Sequence, residues 1–563
     1  MLEPSFKIRS QSEITKKPRV VDAVAEILKR EGVDFLSCYP TTPLIDVAAA
    51  IGMRPIICRQ ERVGVGIADG FSRITNGKKI GVFAMQYGPG AENAFQGIAT
   101  AYSDSVPILL LPLGHPRERS QVFPHFSSIR TYSSITKSVE ELSIPDQVGE
   151  VMRRAFSRLK NGRPGPVMVE IPWDVLEEVI PEDVLQYKPA KRSLSAGNPN
   201  EIDEASKVLL QAQNPIILAG QGVLYGEASK QLLELAELIQ VPVATTVEGK
   251  SAFPEDHPLS LGTATSSNTG PVVQFLRDAD IVFAIGCSLT RHFLSITIPS
   301  GKVIIHSTND ERDINKNYRA DYPIIGDSKL VLQQFIRAIK NQSGENLGDK
   351  SPAEQILSVK NEWMKEWMPK LTSREVPINP YRVMWEFMQV TNPKETIVTA
   401  DTGSPRIQLV PFYKSATPRS YIGWGKSHAL GTSLGLIMGA KLASPDKFCA
   451  NFMGDAAFGM TGLDFETSVR NTIPITTIVL NNSSMGCEKN HLTISQERYR
   501  SRDIGGNYSE MGKSMGGYVE RIEDPEEIRS AILRAKKMNE EKRPVLLEFI
   551  TSQETKYSHV DPF

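Results

Sequence analysis

The chain has 563 residues, more than one hydrophobic core can usefully bury, so about three domains are expected. Lys plus Arg number 64 against 65 for Asp plus Glu, a net charge of -1, and no basic surplus points to nucleic acid as a partner. No apolar run reaches membrane-spanning length and the opening MLEPSFKIRSQSEITKKP lacks the apolar core of a secretion signal, so neither a membrane nor export is expected. Cys38, Cys58, Cys287, Cys449 and Cys487 are scattered and form no CxxC pair, which predicts a reducing cytoplasm rather than a disulfide framework.

Short apolar runs alternate with helical patterns from the start of the first unit, residues 1–189. Strands are predicted at 34–39, 55–59, 80–85, 108–113 and 167–171, with helices such as 20–31 and 64–75 between them. A polar stretch with prolines, 186–200, reads as a linker into a second α/β unit, 190–345. Strands are predicted there at 215–219, 241–246, 280–285 and 302–306. The low-complexity run NQSGENLGDKSPAE opens a second linker, 346–377, and a third unit, 378–563, begins its strands at 396–400. The expected fold is therefore α/β, with three successive doubly wound domains built on parallel sheets.

The third unit carries the most telling pattern. An apolar run, 447–453, ends at Gly454-Asp455-Ala456-Ala457-Phe458; a helical stretch, 461–470, follows; a second apolar run, 473–480, ends at Asn481-Asn482. Strand, helix, strand makes the two strands parallel, which sets Asp455 and Asn482 side by side at one carboxyl edge, where open α/β sheets bind ligands. One carboxylate and one amide oxygen suit Mg²⁺, which completes its octahedron with water and phosphate oxygens. A metal-bridged phosphate ester or diphosphate is the first functional expectation.

The interval GDAAFGMTGLDFETSVRNTIPITTIVLNN resembles the diphosphate-binding motif of thiamine diphosphate (ThDP) enzymes, with Ala456 where that motif usually has Gly. The likeness extends along the chain. Arg59-Gln60-Glu61-Arg62 supplies a glutamate between a strand and a helix, and Tyr87-Gly88-Pro89-Gly90 resembles the Ser-Gly-Pro-Gly turn of the acetolactate synthase-like branch. Ser134-Ile135-Thr136-Lys137 matches that branch as well. The sequence departs from it at Phe123-Pro124-His125, where Phe-Gln-Glu is usual, and at the stretch that follows Asn482.

The resemblance implies a pyrimidine-binding domain, a central Rossmann-like domain and a diphosphate-binding domain. It further implies ThDP and Mg²⁺ as cofactors, with Asp455, Asn482 and the Ser484 backbone oxygen on the metal. Ser404, His428, Gly454, Ala456, Ala457 and Gly486 would line the cofactor, and Leu430 would support the bent ring system from below. Glu61 would bond the pyrimidine N1′ and so help its 4′-nitrogen take the thiazolium C2 proton. Gln86, His115, His125 and Cys487 are the candidates for contacting substrate. Many members of the branch hold FAD as a non-redox cofactor in the middle domain, near Gly220, Gly222 and Arg291 here, while other relatives leave that domain empty or bind another nucleotide. The implied assembly is a homodimer or homotetramer and the implied substrate a 2-oxo acid. Decarboxylation with carboligation leads; simple decarboxylation, C–C lysis of a 2-hydroxy ketone or 2-hydroxyacyl thioester, and a non-catalytic binding or regulatory subunit stay open as alternatives.

Overall fold

The structure, a computed structural model, describes residues 17–182, 186–343, 351–423, 425–427 and 429–558. Its strands form three sheets in which neighbouring strands run parallel. From edge to edge the first runs Arg54–Ile57, Phe35–Cys38, Gly81–Met85, Ile108–Gly114, Val167–Pro172, Ser138–Glu141. The second runs Tyr322–Ile325, Val303–Thr308, Ile281–Ile285, Pro215–Ala219, Val243–Thr246, Ser260–Ala264. The third runs Thr396–Ala400, Phe448–Gly454, Thr476–Asn481, Val545–Ile550, Tyr518–Ile522.

The α/β class follows from the alternation of runs in the sequence. Inner strands such as Gly81–Met85, Ile281–Ile285 and Thr476–Asn481 are buried at every residue, and the first two read as unbroken apolar segments. The region expected as the second linker holds the helix Ala353–Leu371, which buries Ile356, Trp367 and Leu371. Among the described residues no helix is long and apolar enough to cross a membrane.

The first and third units share a core. Helix Glu61–Ile74 lies against helix Thr432–Ala443, and Val63, Ile67 and Phe71 pack in one cluster with Leu434, Ile437 and Phe458. Glycines set the closeness of this crossing. A methyl on Gly66 would stand 3.1 Å from Gly435 Cα, and methyls on Gly70 and Gly439 would overlap the carbonyl oxygens of Leu436 and Ile67. Gly70→Ala should therefore force the helices apart and cost about 1–3 kcal/mol of stability, as overpacking generally does. Urea unfolding of the two proteins checks this; an unchanged midpoint would mean that the crossing adjusts freely.

Candidate active site

Three loops converge at the carboxyl edge of the third sheet, because its adjacent parallel strands end in Ala400, Gly454 and Asn481. Asp401 follows the first strand and is wholly occupied. Its Oδ1 accepts the Thr402 and Gly431 amides, each at 2.8 Å, and its Oδ2 accepts the Ser433 amide at 2.9 Å. It thereby fastens the start of helix Thr432–Ala443 to the sheet, with Gly431 at φ +89°. Asp455 follows the second strand as the first residue of helix Asp455–Thr461. Its Oδ1 accepts the Ala456 amide at 2.8 Å, whereas its Oδ2 is buried without a hydrogen-bond partner. Burial raises the carboxyl pKa, and the neighbouring amides of Ala456, Ser483, Asn482 and Ser484 oppose that shift.

Beside it, Asn482 Oδ1 accepts the Ser484 amide at 3.0 Å, which leaves the oxygen a second lone pair. Asn481 is committed to structure, its Nδ2 donating to the buried Glu548 at 2.7 Å. Gly486 lies between two loops: a methyl there would stand 3.6 Å from Asn482 Nδ2 and 3.8 Å from Ser404 Oγ. Ser404 Oγ is in turn 3.5 Å from Cys487 Sγ. The structure thus gathers Ser404, Asp455, Asn482, Ser484, Gly486 and Cys487 at one edge. Ala456 has ordinary helical backbone, so its methyl meets no conformational penalty. Leu430 is half-buried against the core shared with helix Glu61–Ile74. His428 lies outside the described residues.

Two contributors escaped the sequence reading. Tyr557 OH is 2.8 Å from Ser404 Oγ, and Gln553 Nε2 donates to the Asn482 carbonyl at 3.4 Å. Both follow strand Val545–Ile550, which pairs with Thr476–Asn481 and therefore exits at the same edge. Recognising that strand in the sequence is the signal that finds them.

Glu61 opens helix Glu61–Ile74 and is only 5% exposed. Burial raises its carboxyl pKa, opposed by its own amide and the Asn93 side chain. A methyl on Gly90 would stand 3.5 Å from Glu61 Oε1 and 3.0 Å from Gln86 Cβ, so the Gly-Pro-Gly turn keeps space open beside the carboxyl. The ring of Tyr87 lies 4.7 Å from His115, and His115 stacks on His125 at 4.6 Å with 14° between planes. Burial lowers the His115 pKa, with the charges of His125 and Arg119 adding to the effect, which favours the neutral ring. Glu61, Gln86, Tyr87, His115 and His125 thus form a contiguous line on the first unit.

The predicted helix at 461–470 differs in the structure. Helix begins at Asp455, tightens to a 3-10 turn at Gly462–Asp464 and resumes over Phe465–Arg470. The break turns Asp464 toward the first unit, where it accepts the Arg59 and Gln60 amides at 2.8 and 3.1 Å and so holds the segment that carries Glu61.

A cleft of about 120 Å³ opens over the second sheet where its strand order reverses, between Pro215–Ala219 and Ile281–Ile285. Gly220 and Gly222, singled out in the sequence, are required by the backbone of Gly286 and Cys287, which a methyl on either would overlap or crowd. Arg163 and Lys426 line the cleft but are engaged by Asp313 at 2.7 Å and Glu248 at 2.7 Å.

Family profiles of thiamine pyrophosphate enzymes match all three units: the N-terminal TPP binding domain over 18–139, the central domain over 202–335 and the C-terminal TPP binding domain over 401–549. A probable acetolactate synthase large subunit from Methanococcus aeolicus is 31% identical over 96% of this chain and 93% of its own length. The chain belongs to the thiamine pyrophosphate enzyme family. A second probable acetolactate synthase large subunit, from Methanocaldococcus jannaschii, is 32% identical over 94% of this chain and 91% of its own. The acetolactate synthase isozyme 3 large subunit of Escherichia coli is 28% identical over 83% of each. Thiamine diphosphate is thus the cofactor that the chain's two TPP binding domains serve. The C-terminal edge fits it: the orphaned Asp455 Oδ2 calls for a cation, and Gly403 (φ +93°) and Gly486 leave the loops close to a bound ligand without side chains in the way. Among the described residues no group of three or more His, Cys, Asp or Glu side chains is placed to hold a metal ion.

Proposed function

We propose that the chain decarboxylates a 2-oxo acid and joins the remaining acyl unit to a second carbonyl compound, with ThDP and Mg²⁺ as cofactors. The observation that carries this reading is the buried, unpartnered Asp455 Oδ2 beside Asn482, in a chain that also retains a buried Glu61. The names of the similar large subunits support it. Asp455 and Asn482 give side-chain oxygens to the metal and Ser484 a backbone oxygen. Ser404, Gly454, Ala456, Ala457 and Gly486 line the diphosphate, and Leu430 supports the ring system. Bound ThDP supplies a carbon that accepts the electron pair left when CO₂ departs. Glu61 holds a proton against the pyrimidine N1′, a task suited to a carboxyl whose burial favours its neutral form. Gln86, His115, His125 and Cys487 meet the substrate, His115 as a neutral ring. FAD is no part of the proposal: Arg163 and Lys426 in the cleft lining are paired with carboxylates and Arg192 donates to the Tyr225 carbonyl, so the lining does not single out a flavin diphosphate. The free state of all five cysteines supports a cytoplasmic setting.

In balance, the C1–C2 bond of the 2-oxo acid breaks, carbon dioxide leaves, and C2 forms a bond to the acceptor carbonyl carbon, whose oxygen takes a proton. A panel of 2-oxo acids with and without aldehyde or ketone acceptors, read by mass spectrometry, tests this. A hydroxy ketone or 2-hydroxy-3-oxo acid is expected. Aldehyde alone across the panel would make the protein a simple decarboxylase; cleavage of 2-hydroxy ketones without decarboxylation would make it a lyase.

The active unit in this reading is a homodimer in which Glu61 of one chain and Asp455 of the other serve one cofactor. Mixing inactive Glu61→Gln and Asp455→Ala chains then restores one intact site in each mixed dimer, or about a quarter of wild-type activity under random pairing. If both residues serve a site within one chain, the mixture stays inactive.

A further inference from the structure

The loop that leads from strand Thr396–Ala400 and its neighbours toward Leu430 is gripped from all three units. Asp104 of the first unit, 2% exposed, accepts the Gly425 amide at 3.2 Å and the Lys426 amide at 3.3 Å. Asp104 is itself held by Arg73 at 3.1 Å, and Arg73 also donates to the Gly423 carbonyl at 2.6 Å. Arg73 stands in the same helix that Glu61 opens. Thr100 Oγ1 meets Ser427 Oγ at 3.3 Å, and Asp401 of the third unit takes the Gly431 amide. From the second unit comes Glu248, which accepts a hydrogen bond from Lys426 Nζ at 2.7 Å. The Glu248 side chain is 9% exposed and that of Lys426 20%, and His292 Nε2 approaches the same carboxylate at 3.8 Å. Glu248 also rests against Gly425, where a methyl would overlap its carboxylate.

We propose that the Glu248–Lys426 ion pair is a positioning latch: it fixes the stretch 425–427 from the wall of the central cleft, and thereby sets where Leu430 stands in the cofactor site. Neither residue touches the reacting atoms. Among the described residues, every other hydrogen bond to this loop falls on a backbone amide or carbonyl or on a hydroxyl, so the ion pair is the contact that ties it to the second unit by charge. A buried ion pair is poor evidence for stability but suits a specificity of position, because removing one partner strands the other's charge. The inference rests on the proposed role of Leu430.

The test uses full-length protein with Lys426→Met, Glu248→Gln and the double variant. Hydrogen–deuterium exchange across 420–434 reads the loop directly, and kcat and KM for the preferred 2-oxo acid at saturating ThDP read its consequence. Each single change should speed exchange of this segment alone and lower kcat by roughly 10²-fold with little change in KM, the scale expected when a support moves by about 1 Å. The double variant should lose no more than either single one, as two members of one unit do. Unchanged loop exchange, or single effects that multiply in the double variant, would overturn the latch. Faster exchange throughout the protein would also overturn it, showing a merely structural role. A wild type without turnover on any 2-oxo acid would instead overturn the proposed reaction, and the exchange measurement would still decide the latch.

Discussion

Asp455→Ala should weaken binding of ThDP with Mg²⁺ by roughly 100-fold or more, since even residues behind a metal's ligands are worth about 10–100-fold in affinity. The reason lies in how the side chain is spent. Asp401, at the end of the neighbouring strand, has both oxygens bonded to backbone amides and works as a fastener. Asp455 has one oxygen so engaged and the other buried without a partner. A buried, unpaired carboxylate oxygen costs stability, and a fold that keeps one has a use for it. The same substitution should therefore leave the thermal stability of the cofactor-free protein unchanged or raise it. Calorimetric titration and thermal unfolding of wild type and variant measure both. Equal affinity for the cofactor pair would remove Asp455 from the site, and a collapse of the cofactor-free fold would make it structural.

Glu61→Gln should lower kcat by roughly 10²–10⁴-fold, the usual worth of a positioned proton-transfer group, while cofactor affinity changes far less. Glutamine keeps the shape and hydrogen bonding of the neutral acid but cannot exchange the proton. The surroundings favour that reading. Glu61 is buried, its pKa is raised by desolvation, and Gly90 leaves open space beside Oε1. A carboxyl that only complemented a helix N-terminus would sit in water and gain little from such a setting. Steady-state rates at saturating cofactor decide the matter. A rate within a few-fold of wild type would leave Glu61 with a capping role only.

The parts of this fold that were legible are those in which local pattern and burial agree. Inner strands such as Ile108–Gly114 are apolar throughout, and the spacing from Asp455 to Asn482 fixed a strand–helix–strand unit. Four of the strands that went unread are edges: Ser138–Glu141, Ser260–Ala264, Tyr322–Ile325 and Tyr518–Ile522. Exposure allows charges or a proline in Ser-Val-Glu-Glu and Tyr-Pro-Ile-Ile, and the buried Ser260–Ala264 is interrupted by Ser260, Gly262 and Thr263, which weakens the apolar signal. Val545–Ile550 is an inner strand, but its charged Glu548 interrupts the run; that residue is buried and bonded to Asn481 and to the Ser509 amide. Missing that strand also hid Tyr557. The stacking of His115 on His125 depends on how a loop folds back over a sheet edge, and sequence spacing carries no trace of it. The break at Gly462–Asp464 arises from a contact with the distant Arg59 and Gln60 amides, which no local pattern encodes.

Release of carbon dioxide from a carboxyl-labelled 2-oxo acid tests the proposed chemistry most directly. The assay needs wild type and Asp455→Ala, each with and without ThDP and Mg²⁺, across a set of 2-oxo acids that includes small and branched side chains. The expected result is labelled CO₂ from at least one acid by wild type, dependent on both cofactors and abolished by Asp455→Ala, with the unlabelled remainder found bonded to an added acceptor. Labelled CO₂ that appears without ThDP, or from no acid in the set under any condition, would contradict it.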